Sequence, residues 1–450
     1  MIIKNFNELA TDELRKHALL IIEEGLKAAD PEVAVLNALR LVNGKLCIKD
    51  YCSDLSGKLH IIGFGKASYR MLLGALKVLK DRVYGGVVIT NNPEWVGKVG
   101  NIEVVLGDHP IPRENTEKAA TKVLEYIKSN VGNDDLVLVL ISGGGSALFE
   151  RPYPPITMND LSVLNDLLLK SGADINEINT VRKHVSMVKG GRLAKLLYPA
   201  KVFSLIISDV VGDPIDVIAS GPTAPDPTTF KEAKDVLVRR ELWDKVPESV
   251  RYVIESGLKG EIEESPKPGD EVFNNVKNVI VASNIISLEA MARKAQELGY
   301  NTVLLTSMME GEAREVGRFL ASIARHIKKY GWVKRAPIAV LLGGETTVTV
   351  KGNGVGGRNQ ELALSFAIYV AGLEGVALAS VGTDGKDGVS DAAGGIVTGD
   401  TVEEAKKLGL NPIDFLNRND SYNFLRRVKG AIITGITGTN VNDIAVMLVR

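Results

Sequence analysis

Hydrophobic and polar positions along the chain switch repeatedly between a helical and a strand period. Residues 8–29 and 31–42 carry apolar side chains at helical spacing, which predicts two amphipathic helices. Asp30 followed by Pro31 is a cap and first-turn pair suited to the start of the second. The segment LHIIGFGKAS (59–68) then predicts a strand, a glycine turn and a helix beginning near Ala67. Short apolar, β-branched runs at 85–90, 102–107, 136–141, 202–207, 278–284 and 301–306 read as further strands. Between them lie predicted helices at 114–130, 173–199 (broken at Gly190–Gly191), 229–260, 286–298 and 312–330. From Pro337 the pattern predicts a strand, a turn, an alternating strand in TTVTV, a glycine loop and a helix. Residues 376–398 form a strand ending in an acidic, glycine-rich loop, and 431–450 place a Gly/Thr loop between two strands.

This alternation predicts an α/β fold with mostly parallel sheets in two domains. The charged, Pro-containing stretch 260–274 is the most linker-like, so the expected domains are 1–270 and 271–450. A second compositional break falls at 328–337. The length of 450 residues suits two or three domains.

Composition narrows the function classes. With 45% hydrophobic and 24% charged residues the chain is an ordinary globular protein. A formal net charge of −1 offers no basic field for nucleic acid. No apolar run reaches the length of a membrane-spanning helix, and the amino-terminal stretch lacks the apolar core of a signal peptide. The two cysteines, Cys47 and Cys52, read as ordinary thiols of a cytoplasmic protein. Five scattered histidines have no metal-ligand spacing.

The chemistry concentrates at strand ends. LVLVLISGGGSALF (136–149) is a buried strand running into three glycines between serines. Such a turn lets backbone N–H groups face outward and an anion approach the main chain, so Ser142, Gly143, Gly144, Gly145 and Ser146 are candidates for holding phosphate. Other strand ends carry Lys66, Asp209, Asn284, Asp384 and Asp387, and Arg358 opens a helix. A cation at a helix start opposes the helix dipole, which favours a functional reading of Arg358. Cations, carboxylates and a glycine cradle are the parts of phosphoryl transfer: carboxylates bind Mg²⁺ or accept the alcohol proton, and cations neutralise phosphate oxygens. The P-loop pattern is absent, since its first glycine would fall on His60. GFGKAS imitates a dinucleotide-binding turn, but Ser68 replaces the third glycine and the next strand ends in Asn91–Asn92 with no acid for a ribose.

Six motifs carry a resemblance across nearly the whole chain. They are ISGGGSALF (141–149), INTVRKHVSMVKGGRLA (178–194), SDVVGDPIDVIASGPTAPDPTTF (208–230), GGETTVTVKGNGVGGRNQELAL (343–364), GTDGKDGVSDAAGGIV (382–397) and TGTNVNDIAV (437–446). Together they resemble the glycerate 2-kinase, or MOFRL, family. The resemblance implies a larger Rossmann-like domain and a smaller MOFRL-type domain with the active site in the cleft between them. It implies ATP- and Mg²⁺-dependent phosphorylation of D-glycerate to 2-phospho-D-glycerate, with Lys66 and Arg358 as the catalytic pair. On this reading Asp209 is the general base or a metal ligand, and Asp384 and Asp387 form a second acidic set. Arg182 and Lys189 line the substrate, and Asn284 faces the nucleotide. A homodimer is one option for assembly. An NAD(P)H-dependent hydroxypyruvate reductase is the alternative, because family members have carried that name; a phosphosugar-sensing module is a third.

Overall fold

The computed structural model describes residues 1–331 and 336–450. Four positions of the break at 328–337, residues 332–335, lie outside the described residues. The chain divides into two compact units, one of Ala34–Ser208 with Asp213–Val281, the other of Met1–Val33, Asp209–Gly212 and Ala282–Arg450. The single cut expected at 270/271 therefore gives way to a discontinuous partition. Residues 260–274 stay inside the first unit, and the first two helices leave it.

The first unit is built on a seven-stranded sheet. Its spatial order is Val276–Ala282, Lys201–Ile207, Leu136–Ile141, Leu59–Phe64, Val83–Thr90, Ile102–Leu106 and Gly97–Val99. Strand 59–64 runs parallel to both 83–90 and 136–141, and 136–141 runs parallel to 201–207. The short edge strand 97–99 pairs antiparallel with 102–106. Strands 59–64 and 136–141 are buried along their whole length, as their unbroken apolar runs require of a sheet covered on both faces. Phe64 pairs with Ile141, so the loops that follow emerge side by side.

A three-stranded antiparallel meander, Leu39–Val42, Lys45–Ile48 and Tyr51–Asp54, also belongs to this unit. It replaces the end of the expected second helix, which stops at Ala38. Cys47 and Cys52 face each other in the meander and are joined by a disulfide, which corrects the expectation of free thiols. Strand register brings together two residues whose spacing alone suggested nothing. The expected 229–260 helix is two, Phe230–Arg239 and Glu248–Leu258.

The second unit holds a six-stranded sheet in the order Asn301–Met309, Ile338–Gly344, Asp443–Val449, Val376–Gly382, Gly394–Thr398 and Ala431–Ile432. Its first pair is parallel and the other four are antiparallel, so the expectation of mostly parallel sheets holds for the first unit and not for this one. The carboxyl-terminal strand enters the middle of the sheet, between strands 338–344 and 376–382. Helices Ala313–Tyr330 and Arg358–Tyr369 cover one face. Helix Glu13–Ala28 covers the other, with Leu19, Ile22 and Leu26 packed among Leu341, Val381, Ile444 and Leu448. The TTVTV segment forms no strand, only a single bridge between Thr347 and Glu312. No helix among the described residues is long and apolar enough to cross a membrane.

Candidate active site

In the first unit the two glycine loops lock together. The Lys66 amide donates to Gly143 O at 2.9 Å, and the Ala67 amide donates to Ser142 Oγ at 3.0 Å. A Cβ on Gly65 would lie 2.3 Å from Ser142 Oγ, so the two loops meet only because that residue has no side chain. Gly144 has φ +79°, the left-handed region. A Cβ there would meet His109 Nε2 at 3.1 Å and Lys66 Cε at 3.1 Å. Lys66 and His109 thus flank one point above Gly144. Among the described residues the amides of Gly143 and Gly144 have no acceptor, which leaves them available to an anion.

The remaining members of the cradle are framework. Ser142 is buried and holds the Lys66 loop. Gly145 packs beneath Ala219, and Ser146 Oγ lies 2.8 Å from Ser220 Oγ. Ala219 and Ser220 both have positive φ, 51° and 62°, a costly conformation for residues with a Cβ. The strained pair sits directly against the glycine loop.

His109 reads in the sequence only as part of a Pro-rich turn. Burial, with the Lys66 charge beside it, lowers its pKa to about 4, so the imidazole is neutral at physiological pH. The available signal was positional: GDHPIP follows strand 102–106 at the same sheet edge as the glycine loops.

Lys189 stands behind the loop rather than in it. Lys189 is 1% exposed, pairs with Glu150 at 2.6 Å and donates to Ser146 O and Phe149 O. Burial lowers its pKa against the pull of Glu150. Arg182 donates through Nε to Asn165 Oδ1 at 2.7 Å, and burial lowers its pKa against the pull of the Glu150 charge. Lys189, expected to line the substrate, is buried against Glu150 and two main-chain carbonyls.

The second unit carries the other cluster. Arg358, first residue of helix 358–369, donates to Asp443 from Nε at 2.6 Å and Nη2 at 3.0 Å, and from Nη1 to Glu345 at 2.7 Å. Burial opposes the Arg358 charge, but Asp443 more than offsets it and the pKa is raised. Asp443 is fully buried, and burial raises its carboxyl to about 6 despite Arg358. Arg358, Glu345, Asp384, Lys386 and Asp387 line one cavity of about 830 Å³ together with Val348, Val350 and Val389.

Asp387 is 2% exposed and accepts from the amides of Asn359 and Gln360, so it caps the helix that Arg358 begins. Asp384 is half-buried and accepts from the Lys386 amide. Asp209 follows strand 201–207, is half-buried, and belongs by its contacts to the second unit. Among the described residues no three of His, Cys, Asp and Glu form a metal-binding group, so Asp209, Asp384 and Asp387 do not assemble into a protein-only metal cage. Asn284, expected to face the nucleotide, is buried: its Nδ2 donates to Val441 O at 2.9 Å and Asp443 O at 2.8 Å, and its Oδ1 has no partner among the described residues. Lys66 and Arg358 fall in different units.

Comparisons with known proteins bear on both clusters. Residues 17–255 match a family described as a domain of unknown function (DUF4147), and residues 338–443 match the MOFRL family. The chain is 45% identical over 438 residues to a glycerate 2-kinase of Pyrococcus horikoshii, covering 97% of this chain and 98% of that one. It is 42% identical to the D-glycerate 2-kinase of Thermotoga maritima, covering 97% and 99%. The chain belongs to the glycerate 2-kinase family. A crystal structure of the glycerate kinase from Thermotoga maritima matches with a TM-score of 0.85 at 41% identity, over 96% of this chain and 98% of that one. A relative from Agrobacterium vitis with a provisional hydroxypyruvate reductase name is 40% identical, covering 95% and 93%. In this glycerate 2-kinase family member the glycine cradle with Lys66 lies inside the first matched region, and Arg358 with Asp443 inside the second.

Proposed function

We propose that this chain is an ATP-dependent D-glycerate 2-kinase that forms 2-phospho-D-glycerate. Relatives bearing that activity in their names align over nearly its whole length. The observation that carries the reading is the pair of free amides at Gly143 and Gly144 beside Lys66. Unpaired amides in a glycine turn next to a lysine suit a phosphate chain, and the kinase names of the full-length relatives favour ATP over a dinucleotide as its source.

In the reaction the glycerate 2-hydroxyl oxygen forms a bond to the γ-phosphorus as the bond to the β–γ bridging oxygen breaks, and ADP departs. The hydroxyl proton passes to a carboxylate, a role assigned to Asp209. Lys66 neutralises phosphoryl oxygens while the Gly143–Gly144 amides hold the nucleotide phosphates. Arg358 binds the anionic group of glycerate or the phosphoryl oxygens with its remaining N–H groups. A divalent cation such as Mg²⁺, bound with the nucleotide, would neutralise phosphate charge, and Asp384 in the second-unit cavity would be a carboxylate available to it. Arg182 is a further cation assigned to the substrate. Dependence on ATP suits the cytoplasm.

Two assays run side by side decide the reaction class. One couples ADP formation from ATP and D-glycerate; the other follows NAD(P)H oxidation with hydroxypyruvate. ADP production dependent on glycerate is expected. Nicotinamide oxidation without ADP formation would overturn the reading.

A further inference from the structure

The kinase reading needs Arg358 to present a guanidinium in a defined direction, and the role of its buried partner rests on that reading. The geometry points to Asp443 as the positioning residue that aims Arg358. The Nε/Nη2 edge of the guanidinium is gripped side-on by both Asp443 oxygens, at 2.6 and 3.0 Å. The Nη1 end meets Glu345, whose side chain is 47% exposed while that of Asp443 is 1% exposed. One edge is therefore fixed from within and the other can exchange its partner for an incoming phosphate or carboxylate.

Asp443 is itself held in place. It opens the central strand 443–449, with Gly344 opposite on one side and Gly382 on the other. Neither neighbour has a side chain to crowd the carboxylate. Asn284 Nδ2 ties the carbonyls of Val441 and Asp443 together, and the Asn442 between them has φ 66°, a conformation Asn tolerates better than most residues. A cation at the first position of a helix is unfavourable against the dipole, and a buried carboxylate across its inner edge offsets that cost. Asp443 is thus assigned to Arg358 rather than to substrate, in a chain running Asn284, Asp443, Arg358.

A double-mutant cycle tests this. Asp443→Asn should lower kcat about 100-fold, the scale expected from misplacing a group by about 1 Å. KM for ATP should stay within about threefold. In an Arg358→Lys background the same change should add less than about threefold, because the residue it aims has already gone. Should Asp443→Asn fold poorly, Asn284→Ala, which loosens the same segment from outside, should show the same background dependence. A crystal structure of Asp443→Asn gives a readout independent of turnover: the guanidinium should leave its side-on position. Wild-type kcat in Asp443→Asn, an undiminished penalty in the Arg358→Lys background, or an unmoved guanidinium would each overturn the assignment. An inactive wild type would overturn the kinase reading alone, and the crystal structure would still decide the positioning role.

Discussion

Arg358 and Lys189 are both basic residues in glycine-flanked motifs, and only their surroundings separate them. Arg358 keeps two of its five N–H groups free after bonding Asp443 and Glu345. Lys189 is sealed against Glu150 and two carbonyls. Lys66→Ala and Arg358→Ala should each lower kcat for glycerate about 100- to 1,000-fold with the fold intact, the usual result of removing one transition-state donor. Steady-state kinetics beside a circular dichroism melt checks this. Lys189→Ala should instead act on stability, costing about 3–5 kcal/mol by stranding Glu150, as denaturant titration would show. His109 supplies a pH test. Its folded pKa, about 4, lies below the 6.5 of an exposed imidazole. Between those values the unfolded chain binds a proton that the folded one does not, so stability falls as pH drops from 6.5 towards 4. His109→Gln should flatten that part of the stability–pH curve, as denaturation midpoints taken across the range would reveal. A sequence shows a lysine, an arginine or a histidine, but exposure and the identity of the opposing carboxylate arise only when distant segments meet.

At the scale of elements, local periodicity was a good guide where one segment decides its own conformation. Strand 136–141 and helix 114–130 lie where the apolar pattern put them. The pattern misled where partners decide. TTVTV alternates as a strand does, yet finds no partner strand to pair with. The end of the second helix became a strand because a meander was there to receive it. The glycine cradle shows element and chemistry joined: its turn works because Gly144 accepts a left-handed backbone beneath Lys66 and His109. Gly144→Ala should destabilise the protein by about 1–2 kcal/mol through that backbone alone. It should also raise KM for ATP, since the new methyl group must displace Lys66 or His109. Thermal melts paired with ATP titrations separate the two effects.

At the scale of the whole molecule, the amino-terminal 33 residues belong with the carboxyl-terminal half. Helix 13–28 supplies one covering face of the six-stranded sheet, where Leu19, Ile22 and Leu26 are buried. Each such side chain contributes about 1.5–3 kcal/mol. Removing residues 1–28 should therefore unfold the second unit, and limited proteolysis would find cleavage spread through 282–450. A truncated chain as resistant as the full one would contradict this partition. By itself the sequence determined the α/β class, the main strands and helices and the strand-end residues with chemistry to offer, because each depends on neighbours within one turn of helix or one strand. Tertiary structure alone decided that Asp443 grips Arg358, that Cys47 meets Cys52, that the second sheet is largely antiparallel and that the first helices serve the last strands. Each of these is a pairing across the chain, set by register and burial, and local spacing carries no record of either.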